Sequence, residues 1–294
     1  MVGEKKWLPY VLLIPWIIGF AVFKAYPFVN SFILSLFEKI NPFEQRYVGL
    51  GNYLRLFNSD DFFGEPFLNS LKVTAVYVFF TVPAVLIVSL LIAYILSKKI
   101  KGVGIFRTAF YVPTVLGANV AIVLLWRELF QQNGLINQGL SLLGIDAINW
   151  FGTSQGAMTA IIGLRVWQFG STMLIFLAAL KNVPETLYEA ATIDGASKLK
   201  QFQVITIPMI TPVILFNGVM RLVEMFQVFT GPKLITNGGP LQSTRMINML
   251  IYEVAFENRN FNMGSAMSWI LFLIIMVFTI MIFRSSKYWV HYSD

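Results

Sequence analysis

Three ionisable side chains stand inside long apolar runs: Arg165, Arg221 and Glu224. A charge held at bilayer depth costs about 2.5 to 3.5 kcal/mol on insertion scales, so such groups face a cavity or one another. Arg221 and Glu224 are three residues apart and can meet on one face of a helix, with Asn217 on that face and Gln227 close to it. In a second run Arg165, Gln168 and Thr172 recur at helical spacing, and Asn119 lies in a third. Amides, guanidiniums and a carboxylate along a path can bind a polar or anionic solute. The same groups can equally form a structural ion pair or cap a kinked helix, and both readings stand for Arg165, Arg221 and Glu224. Covalent and metal chemistry is poorly supplied. There is no cysteine and one histidine, His291, which removes disulfides, thiol nucleophiles, Cys/His zinc sites and histidine-ligated haem. No Ser/His pair or aspartate pair lies within an apolar run, as an intramembrane hydrolase would need, and no G-x-x-x-x-G-K-[ST] phosphate loop occurs.

The elements that hold these groups follow from composition. Of 294 residues, 56% are hydrophobic and 13% charged, against about 25% charged in a soluble domain. The mean hydropathy is +0.68. This is the composition of a membrane protein, and it predicts an all-α fold. Six runs approach the roughly 20 residues that a membrane helix needs: 10–37, 71–96, 106–126, 157–180, 210–229 and 264–283. They make one transmembrane domain over 1–294, with no room for a second large domain. Lys24 and Pro27 interrupt the first run, and Lys24 is read as snorkelling to the outer interface. Lys5 and Lys6 ahead of an apolar stretch resemble a signal peptide, but no A-x-A-like site follows and the apolar pattern resumes beyond Lys24, so the run is read as a span. Trp126, Trp150 and Trp269 suit interfacial belts.

The net charge of +7 is a matter of topology and not a nucleic-acid footprint. With the N-terminus cytoplasmic, the inner segments carry eleven basic and five acidic side chains, +6, and the outer segments eight and nine, −1. The excess of basic residues therefore puts both termini in the cytoplasm. The same orientation leaves 181–209 on the cytoplasmic side, far longer than a tether needs. Pro184 suits a first helical position and Glu185 the positive end of a helix dipole, while Leu187, Ala190, Ala191 and Asp194 recur at helical spacing. Gly195 permits a turn. A second short helix, 198–204, is expected to end before Pro208 and Pro212, giving a helix, a bend and a helix that project from the membrane.

This loop carries a resemblance. Glu189-Ala190-Ala191, three residues, Gly195, nine residues and Ile205-Thr206-Ile207-Pro208 resemble the E-A-A-x3-G-x9-I-x-L-P signature of ABC-importer permeases, with Ile207 standing where leucine is usual. The surrounding form, from Tyr188 to Ser197, resembles the carbohydrate-uptake branch. The T-N-G-G-P run from Thr236 to Pro240, followed by Thr244, is similar to that branch's T-x-G-G-P-x-x-x-T outer loop. Val48 to Tyr53, V-G-L-G-N-Y, is similar to the F-x-G-L-x-N-Y stretch of the first of two permeases in maltose-type and glycerol-3-phosphate-type importers. Together these matches extend over about residues 10–284.

The resemblance implies the type I ABC importer fold in a bacterial-type plasma membrane, and a transport subunit instead of an enzyme. It implies a second homologous permease, two ATPase subunits that bind ATP in place of any cofactor here, an extracellular or periplasmic solute-binding protein, and a carbohydrate solute among membrane lipid. Glu189 would pair with a basic residue of the ATPase, Ala190 and Ala191 would let backbones approach, and Gly195 would let the helices turn; Asp194, Ile205 and Pro208 complete the coupling loop. The solute path would include Asn119, Arg165, Gln168, Asn217, Arg221, Glu224 and Gln227. The two arginines raise an anionic carbohydrate, such as a uronate-bearing oligosaccharide, unless Glu224 already neutralises Arg221. Glycerol-3-phosphate is the alternative solute, and an ion-driven carrier acting alone the alternative mechanism; the latter calls for inverted repeats, and none is evident.

Overall fold

The structure, a computed structural model, describes residues 8–41, 44–98, 101–117 and 119–291. Glu4, Lys5, Lys6, Lys99 and Asp294, which enter the charge count, lie outside them. The chain divides into two compact units, Met1–Leu68 with Leu250–Phe272 and Asn69–Met249 with Leu273–Asp294.

In the first unit, α1 (Leu8–Phe20), a π-helical turn (Ala21–Ala25) and α2 (Tyr26–Ser35) make one rod. The wide turn takes Lys24 and Pro27 without ending the helix: the Tyr26 N–H reaches back five residues to the Ala21 carbonyl, which relieves the proline's clash with the turn before it. None of the rod's most apolar stretch is buried by the rest of the chain. A departure from the all-helical expectation follows. Strands β1 (Phe37–Asn41) and β2 (Glu44–Tyr47) pair antiparallel, with Phe37 opposite Tyr47 and Glu38 opposite Arg46. Alternating aromatic and charged residues supply the cross-strand pairs: the rings of Phe37 and Tyr47 meet edge-on, and Arg46 bonds Glu38 at 3.0 Å. The V-G-L-G-N-Y run then opens α3 (Gly51–Leu56). Asn52 is buried and donates at 2.8 Å to the carbonyls of Ser35 and Phe37, while the Tyr53 hydroxyl lies 2.6 Å from Ser35 Oγ. That motif fixes how the first span hands over to the hairpin.

Arg55 bridges two carboxylates, reaching Glu38 Oε1 and Asp61 Oδ2 at 2.8 Å each. Burial pushes the Asp61 carboxyl up, but the Arg55 hydrogen bond, the Phe63 N–H and the Arg55 charge outweigh it and hold it below its ordinary value of 3.8. A carboxyl depressed on folding stabilises above its unfolded pKa, and that stability is lost as pH falls through the folded value. Asp61→Asn is therefore expected to speed hydrogen exchange at the Phe63 and Gly64 amides at pH 7, by a few-fold for a pair worth about 0.5 to 1 kcal/mol. The difference from the parent should shrink below about pH 4. A difference that persists at pH 2 would remove the ion pair as its cause.

Among the described residues four continuous helices are long and apolar enough to cross a membrane: Tyr10–Ser35, Gly64–Ser97, Lys198–Phe226 and Phe261–Ser286. The first is the α1–α2 rod, Gly64–Ser97 is α4 and Phe261–Ser286 becomes α15 below. The expected third and fourth spans are each a bent pair. The third consists of α5 (Val103–Leu116) and α6 (Val120–Leu129), which meet at 104°; the short α7 (Leu135–Ser141) follows. The fourth consists of α8 (Ser154–Trp167) and α9 (Gly170–Lys181), which meet at 44°. Asn119 explains the first break, since its side chain leaves the helical pattern to cap α6 by accepting from the Ala121 N–H at 2.9 Å. Beyond helix α10 (Glu185–Ile193) comes a second correction. The stretch expected to end before Pro208 instead runs on as α11 (Lys198–Gln201), a π-helical turn (Phe202–Thr206) and α12 (Ile207–Phe226). The π turn widens the backbone just ahead of Pro208, with the Ile207 N–H bonding the Phe202 carbonyl, so the proline sits in the first turn of α12 where its missing N–H costs little. Finally α13 (Thr230–Ile235), α14 (Ile247–Tyr252) and α15 (Phe261–Ser286) close the chain.

A stripe of hydroxyls on α4, Ser70, Thr74, Tyr77, Thr81 and Ser89, is fully buried in the second unit. Inside a bilayer such groups hold helices together by bonding neighbouring backbone. Thr74 accepts from the Ile247 N–H at 2.9 Å, and Ser89 donates to the Phe169 carbonyl at 3.2 Å. The three tryptophans suited to belts also spend their indole N–H groups within the protein, on Ala160 O, Asn137 Oδ1 and Ser31 Oγ.

Candidate functional site

The break in the fourth span builds the site. Ending α8 at Trp167 frees carbonyls that a helix would have bonded, and in lipid each must find a donor. Thr114 Oγ1 donates to the freed Gln168 carbonyl at 3.2 Å, while the Phe169 carbonyl, which opens α9 by accepting from the Met173 N–H at 3.0 Å, takes a second bond from Ser89 Oγ. Gly170 starts α9 against α5 so closely that a Cβ there would overlap the Phe110 carbonyl oxygen. The Gln168 side chain turns to the other break, its Nε2 donating to the Gly117 carbonyl at 3.3 Å. Third and fourth spans are thus tied break to break.

Beside this junction lies a cavity of about 380 Å³ whose polar wall is Arg165, Gln168, Arg221, Glu224, Thr114 and Thr230. Arg221 is held on all its nitrogens. Nε donates to Thr172 Oγ1 at 2.8 Å, Nη2 to Ser171 Oγ at 2.6 Å and Nη1 to Glu224 Oε2. Arg165 reaches the other oxygen, Glu224 Oε1, at 3.1 Å through Nη1, which also lies 3.2 Å from Gln168 Oε1. Two guanidiniums share one carboxylate, for a formal charge of +1. The arginines are the more sheltered members, with 17% of the Arg221 and 27% of the Arg165 side chain exposed against 40% of Glu224. The link from Arg165 on α8 to Glu224 on α12 is the looser half, being longer and divided between two acceptors. It is the half that an incoming anion or a relative movement of the two helices would open first.

Of the residues assigned to the path from sequence, Arg165, Gln168, Arg221 and Glu224 come together here. Asn119 caps α6, and Asn217 is buried with its Nδ2 on the Val213 carbonyl at 3.0 Å. Gln227 follows the end of α12 and is exposed. None of these three lines the cavity. Ser171 and Gly117 were not singled out by sequence, because lone hydroxyls and glycines are common in spans; the G-S-T run from Gly170 to Thr172 was the available signal.

The loop over residues 181–209 forms a second site. Helix α10 ends on Gly195, whose φ of +77° suits glycine, and the Ala196 N–H closes back on the Ala191 carbonyl at 2.9 Å. Ser197 caps the next helix by accepting from the Lys200 N–H at 3.3 Å. Gln201 Nε2 clamps the turn, donating to Thr192 Oγ1 at 2.9 Å and the Ala196 carbonyl at 3.1 Å, and the Tyr188 hydroxyl lies 2.8 Å from Thr206 Oγ1. The first helix is therefore fastened to the base of the α11–α12 rod. Glu189, Ala190 and Asp194 are exposed, Ala191 is half-buried, and Ile205 packs on the apolar cluster around Met173 and Phe176. Among the described residues the Glu189 carboxylate has no partner. It borders a cleft of about 890 Å³ whose rim includes Lys98, Lys181 and Lys198.

At the T-N-G-G-P run the two threonines close the loop on itself. Thr236 Oγ1 and Thr244 Oγ1 are 2.7 Å apart, and Thr244 also donates to the Gly239 carbonyl at 2.7 Å.

Known proteins resemble this chain over nearly its whole length. The profile of the family described as "Binding-protein-dependent transport system inner membrane component" matches residues 62–290. The probable ABC transporter permease protein YesP of Bacillus subtilis is 41% identical over 289 residues, covering 97% of this chain and 92% of that protein. The trehalose/maltose transport system permease protein MalF of Thermococcus litoralis is 32% identical, covering 96% of this chain and 94% of its own length. Among solved structures, a chain of a bacterial ABC transporter involved in the import of the acidic polysaccharide alginate superposes with a TM-score of 0.80 at 24% identity, over 97% of this chain and 96% of that one. The two chains share a fold.

Proposed function

The chain belongs to the family of binding-protein-dependent transport system inner membrane components, and from that membership we propose that it is one of two permease subunits of an ATP-driven carbohydrate importer. As an ABC permease it is a multi-pass transport subunit and not an enzyme. In this proposal both termini are cytoplasmic, a homologous permease completes the pathway, two ATPases dock on the loop around Glu189, and an external binding protein delivers the solute. The likeness to MalF of Thermococcus litoralis, a trehalose/maltose transport system permease protein, supports a sugar as cargo. In transport, ATP-driven closure of the ATPases would move α10, and the spans would rock between inward-facing and outward-facing arrangements.

The observation that carries the finer reading is the pair of guanidiniums around one carboxylate beside the cavity. We read it as a subsite for an anionic carbohydrate. Proteoliposomes containing both permeases, the ATPase and the binding protein test the whole scheme, since uptake that survives removal of ATP would reject it. Within that system, replacing Arg165 and Arg221 by glutamine should reduce uptake of a uronate-bearing oligosaccharide about tenfold or more, as expected for losing charged hydrogen bonds worth roughly 1.5 to 3 kcal/mol. Uptake of a neutral analogue should change much less. Equal losses for both solutes would return the arginines to a purely structural role. The modest cavity also favours a second reading, a small phosphorylated solute such as glycerol-3-phosphate, and its uptake in the same assay separates the two.

A further inference from the structure

A groove outside the solute cavity and the cytoplasmic loop runs between one face of α4 and one face of α8, with a volume of about 700 Å³. Its polarity is ordered along its length. At the end where both helices begin stand Asn69, Lys72, Gln155 and Ser243. Further in, the walls are Val76, Phe80 and Ala84 from α4 and Met158, Thr159 and Ile162 from α8, the Thr159 hydroxyl being spent on the Gln155 carbonyl at 2.8 Å. From Lys72 to Ala84 the groove descends twelve residues, about 18 Å at 1.5 Å per residue. That is close to the depth of one leaflet, half of a hydrocarbon core about 30 Å thick.

The mouth is built but unsatisfied. Lys72 makes no ion pair or hydrogen bond among the described residues. Ser243 Oγ is buried and has no partner, while Asn69 Nδ2 reaches the Gln242 carbonyl at 3.4 Å and closes one side. Leu241 and Gln242 hold left-handed backbone at φ +48° and +60°, which costs a side-chain-bearing residue about 1 to 2 kcal/mol. The result is a leucine at the mouth with 96% of its surface bare. Burying a lysine against a neighbouring protein would demand an acid from that protein. A phospholipid brings both requirements in the right order, a phosphate at the height of Lys72 and an acyl chain along the apolar walls.

We propose that this groove is a binding site for one anionic phospholipid of the outer leaflet, its phosphate on Lys72 and Ser243 and one acyl chain between α4 and α8. The leaflet follows from the orientation proposed above; the site itself does not depend on which solute is carried.

Photoactivatable phosphatidylglycerol, with a diazirine on the acyl chain, tests this against the phosphatidylcholine counterpart in vesicles containing the complete transporter. Labelling should concentrate on residues 76–84 and 158–162 and be several-fold stronger with phosphatidylglycerol. Lys72→Arg should keep that preference, Lys72→Glu should remove it at least five-fold, and Ala84→Trp should shift the labels toward the mouth. Lys72 lies at the groove's rim, so its replacements leave the packing of the spans alone, and solute-stimulated ATP hydrolysis reports that each variant is assembled. Labelling that is uniform over the spans, equal for both headgroups and indifferent to Lys72→Glu would overturn the proposal. So would efficient crosslinking of Val76→Cys, in this cysteine-free chain, to the second permease, which would make the groove a protein interface.

Discussion

Glu189→Lys is expected to abolish ATP-coupled uptake, by a hundredfold or more, while the chain still folds and inserts. The side chain stands exposed on α10 with no partner among the described residues, so nothing in the fold depends on it. A carboxylate displayed in this way suits a basic residue on the ATPase. Reversing its charge turns attraction into like-charge repulsion across a desolvated contact, which costs several kcal/mol, against about 1.4 kcal/mol for each tenfold in affinity. Co-purification of the ATPase with the permeases should fall with uptake, and protease resistance of the spans should not. Full transport by Glu189→Lys would move the docking site elsewhere. Glu189→Gln, which keeps shape and removes charge, should fall between the two.

The size of that effect depends on what α10 is fastened to. Gln201, Tyr188 and Thr206 tie it to the base of a helical rod that continues from Lys198 to Phe226. Arg221 and Glu224 ride on the same rod, some 30 Å from Gln201 at 1.5 Å per residue. A displacement imposed on α10 is therefore delivered to α12, and the joint it must open is the looser one, Arg165 on α8 to Glu224 on α12. In the proposed importer, the loop that docks the ATPase and the cavity that takes the solute are two ends of one lever.

That lever was only half legible in the sequence. The apolar runs gave the approximate place of the long apolar helices, four of them continuous among the described residues and two runs falling on bent pairs, because hydropathy over about 20 residues is a strong signal. Helix, turn and helix around Gly195 were also readable, since a glycine after a small-residue helix has few other uses. The continuity through Pro208 was not, because proline ends a helix unless a π turn makes room, and a π turn leaves no mark in composition. The breaks at Asn119 and Gln168 leave as little mark. Gln168 does reach the cavity beside Arg165, but only the backbone shows that it ends α8 and that Asn119 caps α6 away from the cavity. Asn217 shares a helix face with Arg221 yet bonds its own backbone, a local alternative that spacing cannot distinguish from facing a solute. The hairpin at Phe37–Tyr47 lay in the weakest part of the pattern, a short charged stretch after a span.

Gly170→Ala is the second change expected to have a large effect, although it adds a single methyl group. An ideal Cβ at Gly170 would overlap the Phe110 carbonyl oxygen and stand 2.8 Å from both Thr114 Oγ1 and Tyr111 Cα. Backbone atoms cannot rotate aside as a side-chain end can, so α9 must retreat from α5. Overpacking alone costs about 1 to 3 kcal/mol. Retreat would also lengthen the bond from Thr114 to the freed Gln168 carbonyl, worth about 1 to 3 kcal/mol when a buried group is left unmade, and the second bond that Ser89 gives the Phe169 carbonyl. Ser171 and Thr172, one and two residues on, would no longer hold Arg221. The variant should accumulate poorly, lose protease resistance and fail in uptake even where some folded protein remains. Gly104→Ala is the matching control, because a Cβ there meets nothing within 4 Å and alanine favours the helix it would join. If Gly170→Ala behaves like that control, the two breaks are not packed as described, and the cavity between α8 and α12 loses the junction that holds Gln168 beside Arg165.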